Sequence, residues 1–418
     1  MKLGIRRIVM TLAAVATLSA SVLSTAGCGA FFQCEGKADC GTGTGTGAGS
    51  GDYAYVTNSA TSANSIPYLD AFDVSKGLLT PLAGSPYELG FVPTALAISP
   101  NNTFLYVASQ ANPGIYLYSL ASTGVPSLVT SGTNGGLMNS DSDNPVYAMA
   151  ISPDGYWLYT VEELPTGAWD LIQYSLNAST GIMTFSSSFA TPATTCAPSS
   201  SATPYTQLCA VAVSPEKGFV VVAAGSGGAI LYPYTSTASG GVLVPAAGSL
   251  LAYSASSADT SVTIDNLNYV YIGQSQSIST YAVGSGGVPA TVSGGYGQPT
   301  NQIPFTNAET PRNITLSTNY GNVYTADQGT ATISSYSASK GSLTQLGAEV
   351  PGPTEVSALG VDNTGAYLLA AGYNVTGGIQ LYSISSATGS VGVITNLVQS
   401  AGTGTNYAYP TLIAMTNK

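Results

Sequence analysis

The sequence predicts an all-β protein: a seven-bladed β-propeller of four-stranded antiparallel blades, closed into a ring by its C-terminal strand. Three observations carry that prediction. One hairpin recurs along the chain, fullest as Ala95 to Ser109, Ala148 to Glu162 and Ala210 to Ala224. Weaker copies run from Thr260 to Gln274, Asn313 to Asp327 and Ser357 to Ala371. The first copy keeps only its second half, Ala54 to Asn58, and the missing half stands at the far end of the chain. There Pro410-Thr411-Leu412-Ile413-Ala414-Met415 matches Pro93-Thr94-Ala95-Leu96-Ala97-Ile98. A period of about fifty residues with a strand borrowed across the termini implies a closed propeller.

Each element follows from local chemistry. The innermost strands are short and rich in small residues such as Ala95, Ala97, Ala148, Ala150, Ala210 and Ala212, as crowding around an axis requires. Ser99-Pro100, Ser152-Pro153 and Ser214-Pro215 then favour type I turns. Second strands are β-branched and aromatic, as in Phe104 to Val107 and Val220 to Val222. Third strands carry an Ile-x-x-Tyr rhythm (Ile115 with Tyr118, Ile278 with Tyr281, Ile333 with Tyr336, Ile379 with Tyr382). These tyrosines are expected to pack between blades with their hydroxyls on backbone groups or water. Thr-Gly turns at Thr123-Gly124, Thr180-Gly181 and Thr388-Gly389 lead to the edge strands.

Ahead of the propeller, expected over residues 53–418, Lys2, Arg6 and Arg7 precede an apolar run that ends in Ala26-Gly27-Cys28. This layout predicts an export signal over 1–27. Its ending resembles the bacterial lipoprotein cleavage box, with Cys28 lipidated; ordinary secretory cleavage and an uncleaved anchor are the alternatives. Residues 28–52 read as a tether, because the Gly/Thr/Ala/Ser run from Gly41 to Gly51 offers no apolar face. An envelope location and a membrane partner through the lipid follow as expectations. Cys34, Cys40, Cys196 and Cys209 form two local pairs, expected to be disulfides in an exported chain. Their spacing and the lack of any histidine argue against a zinc site, and neither a metal nor a cofactor is expected.

Beyond Cys28 the chain has six basic against twenty acidic residues, a surface that repels phosphate backbones and argues against nucleic acid. The Tyr-Val-Thr-Asn element at 55–58, the Ser-Pro-Asp-Gly hairpin at 152–155 and the Thr-Gly turns resemble the seven-bladed lactonase family, typified by the propeller-type 6-phosphogluconolactonase. The resemblance covers about residues 53 to 418. It implies sugar-lactone hydrolysis, a reaction that needs a base for water and a stabiliser for an oxyanion. Family members often begin the inner strand with Pro-His. The aligned positions here are Thr94, Tyr147, Cys209, Asp259, Arg312, Val356 and Thr411, and none is histidine.

Because the first and second strands are antiparallel, the starts of the first and the ends of the second share one mouth of the channel. Asp259, Arg312, Glu162 and Asp327 are therefore expected there, with Tyr147 and Gln274 nearby. On the bland reading they are solvated loop-end charges, with Arg312 pairing Asp327 or Asp259. Trp169, read as lying in a blade-three loop with Glu162, Glu163 and Asp170, is a candidate sugar platform, and a calcium loop is the competing use of those acids. Three functions remain open: an envelope binding or scaffold module for a sugar, lactone or protein; a lactone hydrolase with Glu162 or Asp327 as base and Arg312 on the oxyanion; and a surface-layer or adhesion module.

Overall fold

The computed structural model describes residues 51–417 apart from 61–65, 110–113, 134, 139–143, 192–208, 217, 238–239, 244–249, 253–257, 276, 285–286, 291, 294–295, 305–310, 374–376 and 399–407. The export signal, Cys28, Cys34, Cys40 and Cys196 lie outside the described residues. Seven antiparallel blade sheets are arranged as predicted, beside one small two-stranded sheet of Val292–Ser293 with Tyr296–Gly297, and no helix occurs among the described residues. Blade 1 takes its inner strand, Ala408–Met415, from the C-terminus and pairs it with Tyr53–Ala60, followed by Tyr68–Asp73. Blades 2 to 7 begin with Pro93–Ile98, Val146–Ile151, Cys209–Val213, Asp259–Ile264, Pro311–Leu316 and Val356–Val361.

The first turn is fixed by its leading side chain. Ser99 Oγ accepts the N–H of Phe104 at 2.9 Å, Ser152 Oγ that of Trp157 at 3.0 Å, and Ser317 Oγ that of Asn322 at 2.9 Å. Asp265 and Asp362 use a carboxylate at the same place, on the N–H groups of Tyr269 and Tyr367. A short polar side chain there satisfies the N–H that opens the second strand.

The outer edges differ from four simple strands. In blade 2 the third strand, Gly114–Leu120, meets two separate pieces, Pro126–Leu128 and Leu137–Met138. Blades 1, 4, 5 and 6 divide their edges likewise. Short, broken edges offer little template for pairing with another chain.

Apolar burial is organised between blades. Seven clusters of buried side chains occur, each drawn from two neighbouring blades. One of them unites Ala54, Val56 and Phe72 of blade 1 with Leu369, Ala371 and Leu381 of blade 7, so the ring is closed by packing as well as by pairing. Tyrosines latch the same interfaces. Tyr55 OH donates to the carbonyl of Gly124, Tyr106 OH to Gly181 at 3.0 Å, and Tyr324 OH to Gly389 at 3.1 Å. Each is a second-strand tyrosine reaching the Thr-Gly turn of the following blade. Of the third-strand series, Tyr382 reaches back to the Pro351 carbonyl at 2.9 Å.

Candidate functional site at the bulged ends of the inner strands

Where the inner strand begins, six of the seven blades insert one extra residue. The register skips Thr411, Thr94, Tyr147, Thr260, Arg312 and Ser357 in blades 1, 2, 3, 5, 6 and 7. Such bulges bend the strand and re-aim one side chain. Blade 4 pairs regularly, with Cys209 opposite Ala224. The bulge corrects two of the aligned positions. Asp259 pairs with Gln274 as Val146 pairs with Glu162, one residue before the bulge, and Val356 does the same opposite Gly372. The counterparts of Thr94 are Thr260 and Ser357.

Four of these bulge side chains are small hydroxyls serving the scaffold. Thr260, Ser357 and Thr411 donate to the carbonyls of Gly273, Ala371 and Thr57, the residues just before the second strand's sixth position. Thr94 reaches the Val146 carbonyl of the next blade, and Ser357 reaches that of Pro410 at 3.2 Å. Only Tyr147 and Arg312 are large. Tyr147 is 7% exposed, donates to Glu163 Oε2 at 3.2 Å and packs against Trp169 with ring centroids 4.9 Å apart. Arg312 occupies the blade 6 bulge beside the Pro311–Asp327 pair; its side chain lies outside the described residues.

The predicted acids are all at this end, and each is engaged within its own blade rather than solvated on a rim. Glu162 is fully buried, accepting hydroxyls from Thr160 at 2.6 Å and Tyr174 at 2.8 Å. Asp327 is 7% exposed and accepts the N–H groups of Gly329 and Thr330, which caps the turn that follows its strand. Trp169 does not lie in a loop. It opens the third strand of blade 3, Trp169–Leu176, is 2% exposed, and offers no open ring face to a sugar. The intervening segment is a tight turn closed by Gly167 N–H on the Leu164 carbonyl at 2.8 Å, and no cluster of three metal-ligating side chains occurs among the described residues.

Asp259 stands apart. It is fully buried, and its backbone is clamped to blade 4 by reciprocal bonds with Gly225. Gln274 Nε2 donates to its Oδ1 at 2.7 Å, whereas Oδ2 is buried with no partner. The Gln274 amide is itself oriented: its Oε1 accepts Ser277 Oγ at 2.8 Å and Ser279 Oγ at 2.7 Å. Gln302 Nε2 donates to both serines, at 3.1 and 3.2 Å. Every donor therefore points along the chain toward Asp259. Burial pushes the Asp259 carboxyl up to about 6, against the Gln274 hydrogen bond that favours its charged form. Two more orphaned oxygens, Asn58 Oδ1 and Asp327 Oδ2, belong to second-strand ends at the same level. Ser277, Ser279 and Gln302 gave no sequence signal, since each is an ordinary polar residue whose partner is set only by strand pairing.

The described residues thus form a seven-bladed propeller whose inner strands bulge at one end, beside buried and partly unsatisfied carboxylates. The family model described as "Lactonase, 7-bladed beta-propeller" matches residues 270–409, and the resemblance read from the repeat motifs is borne out there. No curated protein sequence matches the chain significantly. Among solved structures, a periplasmic gluconolactonase of Pseudomonas aeruginosa is similar at 12% identity and a TM-score of 0.64, covering 87% of this chain and 99% of that one. A protein of Bacteroides fragilis assigned as a 6-phosphogluconolactonase is similar at 14% identity and 0.64, covering 88% and 99%. Another so assigned, from Bacteroides uniformis, gives 17% identity and 0.61, covering 87% and 99%. At such identities the likeness is one of fold.

Proposed function

We propose that this propeller hydrolyses an uncharged sugar lactone at the bulged end of its channel, with Asp259 as the base. The observation that carries the reading is the unpartnered, buried Oδ2 of Asp259, held in place through Gln274. In this scheme Oδ2 takes a proton from water as the water oxygen adds to the ester carbonyl. The tetrahedral oxyanion collapses, the ring C–O bond breaks, and the proton passes to the departing oxygen to give the open sugar acid. Arg312, on the adjacent blade's bulge, is assigned to the oxyanion. A carboxyl titrating at about 6 is matched to this work near neutrality. An uncharged substrate suits a chain with one arginine beyond its leader and an acidic balance.

The likeness to proteins described as gluconolactonases supports the reaction class, and a described periplasmic location for one of them supports export. Export by the 1–27 signal, lipidation at Cys28, the 28–52 tether, and the Cys34–Cys40 and Cys196–Cys209 disulfides belong to the same proposal. They rest on the sequence layout and on the burial of Cys209.

A second reading, a binding module without turnover, is favoured by one observation: Glu162 and Asp327 are engaged in holding their own blades together. Turnover assays on glucono-1,5-lactone beside 6-phosphogluconolactone separate the two. Hydrolysis of the plain lactone above background is expected. Saturable binding of that lactone with no turnover selects the module.

A further inference from the structure

The seam that closes the ring brings three chain segments together. Tyr53 N–H donates to Thr416 Oγ1 at 2.8 Å, and Thr416 N–H returns to the Tyr53 carbonyl at 2.9 Å. Val74 N–H donates to the Asp52 carbonyl at 2.9 Å. From blade 7, Asn363 N–H donates to Asp52 Oδ1 at 3.3 Å and Asn363 Nδ2 to the Gly51 carbonyl at 3.2 Å. The entry segment, the end of the C-terminal strand and the first turn of blade 7 thus share one junction.

Two carboxyl groups are buried in it. Asp52 is 2% exposed and Asp362 is fully buried, with their side chains in hydrogen-bond contact. Asp362 is surrounded by donors: Oδ1 accepts Tyr367 N–H at 2.6 Å, and Oδ2 accepts Thr364 N–H at 3.2 Å and the Thr364 hydroxyl. Asp52 has one donor, on Oδ1, and its Oδ2 receives none. Two carboxylates in contact cannot both be charged at low cost when buried.

We propose that Asp52 and Asp362 share a single proton, carried by Asp52, and that this proton is a pH-sensitive latch on the closure of the ring. Asp52 Oδ2 is the donor of the pair, which answers its lack of any other partner. Burial first, then the hydrogen bond and charge of Asp362, push the Asp52 carboxyl up to about 8, with Asn363 N–H acting in the opposite sense. The other charge bearing on it is also negative, Asp73 at the end of the third strand of blade 1. The C-terminal segment presents Thr416, which is uncharged. Loss of the proton therefore leaves adjacent negative charges in the seam, with no cation among the described residues acting on Asp52.

The sign follows from linkage. A carboxyl raised from 3.8 to about 8 holds its proton in the folded chain while the unfolded chain has lost it. Its contribution is complete below the unfolded value, falls as pH rises between the two, and is lost above about 8.

The test is thermal unfolding of the full chain in detergent, wild type against Asp52→Asn, from pH 4 to pH 9.5. Asparagine keeps a donor toward Asp362 without a titratable proton. The variant's gain in Tm over wild type should be small at pH 4, widen to about 3 °C or more by pH 8, and then level off. A difference that does not change with pH overturns the proposal. Carboxyl carbon-13 titration of the wild type serves if the variant does not fold: an Asp52 titration near 8 is expected, and one below 5 overturns it. A calcium-dependent rise in wild-type Tm at pH 7, absent from Asp52→Asn, also overturns it, by putting a cation where the proton is assigned.

Discussion

Gln274 donates its amide to Asp259 Oδ1 at 2.7 Å and leaves Asp259 Oδ2 buried with no partner. That relationship separates Asp259 from Glu162, whose carboxylate accepts Thr160 and Tyr174, and the side-chain amide separates it from Asp327, whose Oδ1 caps a turn while its Oδ2 is likewise unpartnered. The Gln274 amide cannot rotate freely to offer its oxygen instead, because Ser277 and Ser279 both donate to that oxygen.

Replacing Asp259 by asparagine should remove hydrolysis while stabilising the fold. The buried carboxyl is raised to about 6, so its contribution to stability is present below the unfolded value of 3.8 and lost as pH rises through 6. At pH 8 the asparagine variant is expected to be more stable than wild type by about 2 kcal/mol, and at pH 4 by much less. Urea unfolding at the two pH values checks this.

Gln302→Ala leaves both serines without their donor, and they no longer need to face Gln274. Lactone turnover should fall by roughly tenfold with KM little changed, since a positioning residue acts on the oriented state of the base. Equal loss in kcat and gain in KM would count against the relay.

The tyrosine latches should each contribute modestly and separately. Tyr106→Phe leaves the Gly181 carbonyl without the hydroxyl it accepts at 3.0 Å, and about 1 kcal/mol of stability should be lost. The double variant with Tyr324→Phe, a latch in a different interface, should lose the sum of the two. Equilibrium urea denaturation reads both.

At Gly360 a side chain would meet Ile413 and Met415 of the closing strand, with an added Cβ only 2.7 Å from either. Gly360→Val should therefore push the C-terminal strand away from blade 7, at a cost of about 1–3 kcal/mol. Deleting residues 410–418 should unfold all seven blades together, because that strand supplies the inner edge of blade 1. Loss of a single blade's worth of circular dichroism would contradict it.

The architecture was legible because each blade repeats the same demands. Ser99, Ser152 and Ser214 announce a turn whose side-chain bond the structure contains, and Pro410 to Met415 announces the closing strand. The level of the site was legible too, since antiparallel pairing puts Asp259 opposite Gln274 and Pro311 opposite Asp327. What pairing could not tell was which acid is engaged. Glu162 is neutralised in hydrogen-bonding terms by Thr160 and Tyr174, and nothing in its sequence neighbourhood distinguishes it from Asp259. The bulge was equally silent, so alignment at Asp259 and Val356 slipped by one residue. Trp169 read as a loop residue because Pro165 and Gly167 surround it, while the strand it opens is defined by partners in Glu163 and Thr191.

The most direct test of the account is the pH dependence of kcat/KM for glucono-1,5-lactone, wild type beside Asp259→Asn. If Asp259 is the base, the wild-type value rises with pH and levels off above about 6, and the variant falls to background across the whole range. A variant that retains turnover with the same pH profile would contradict the assignment and move the chemistry away from this end of the ring.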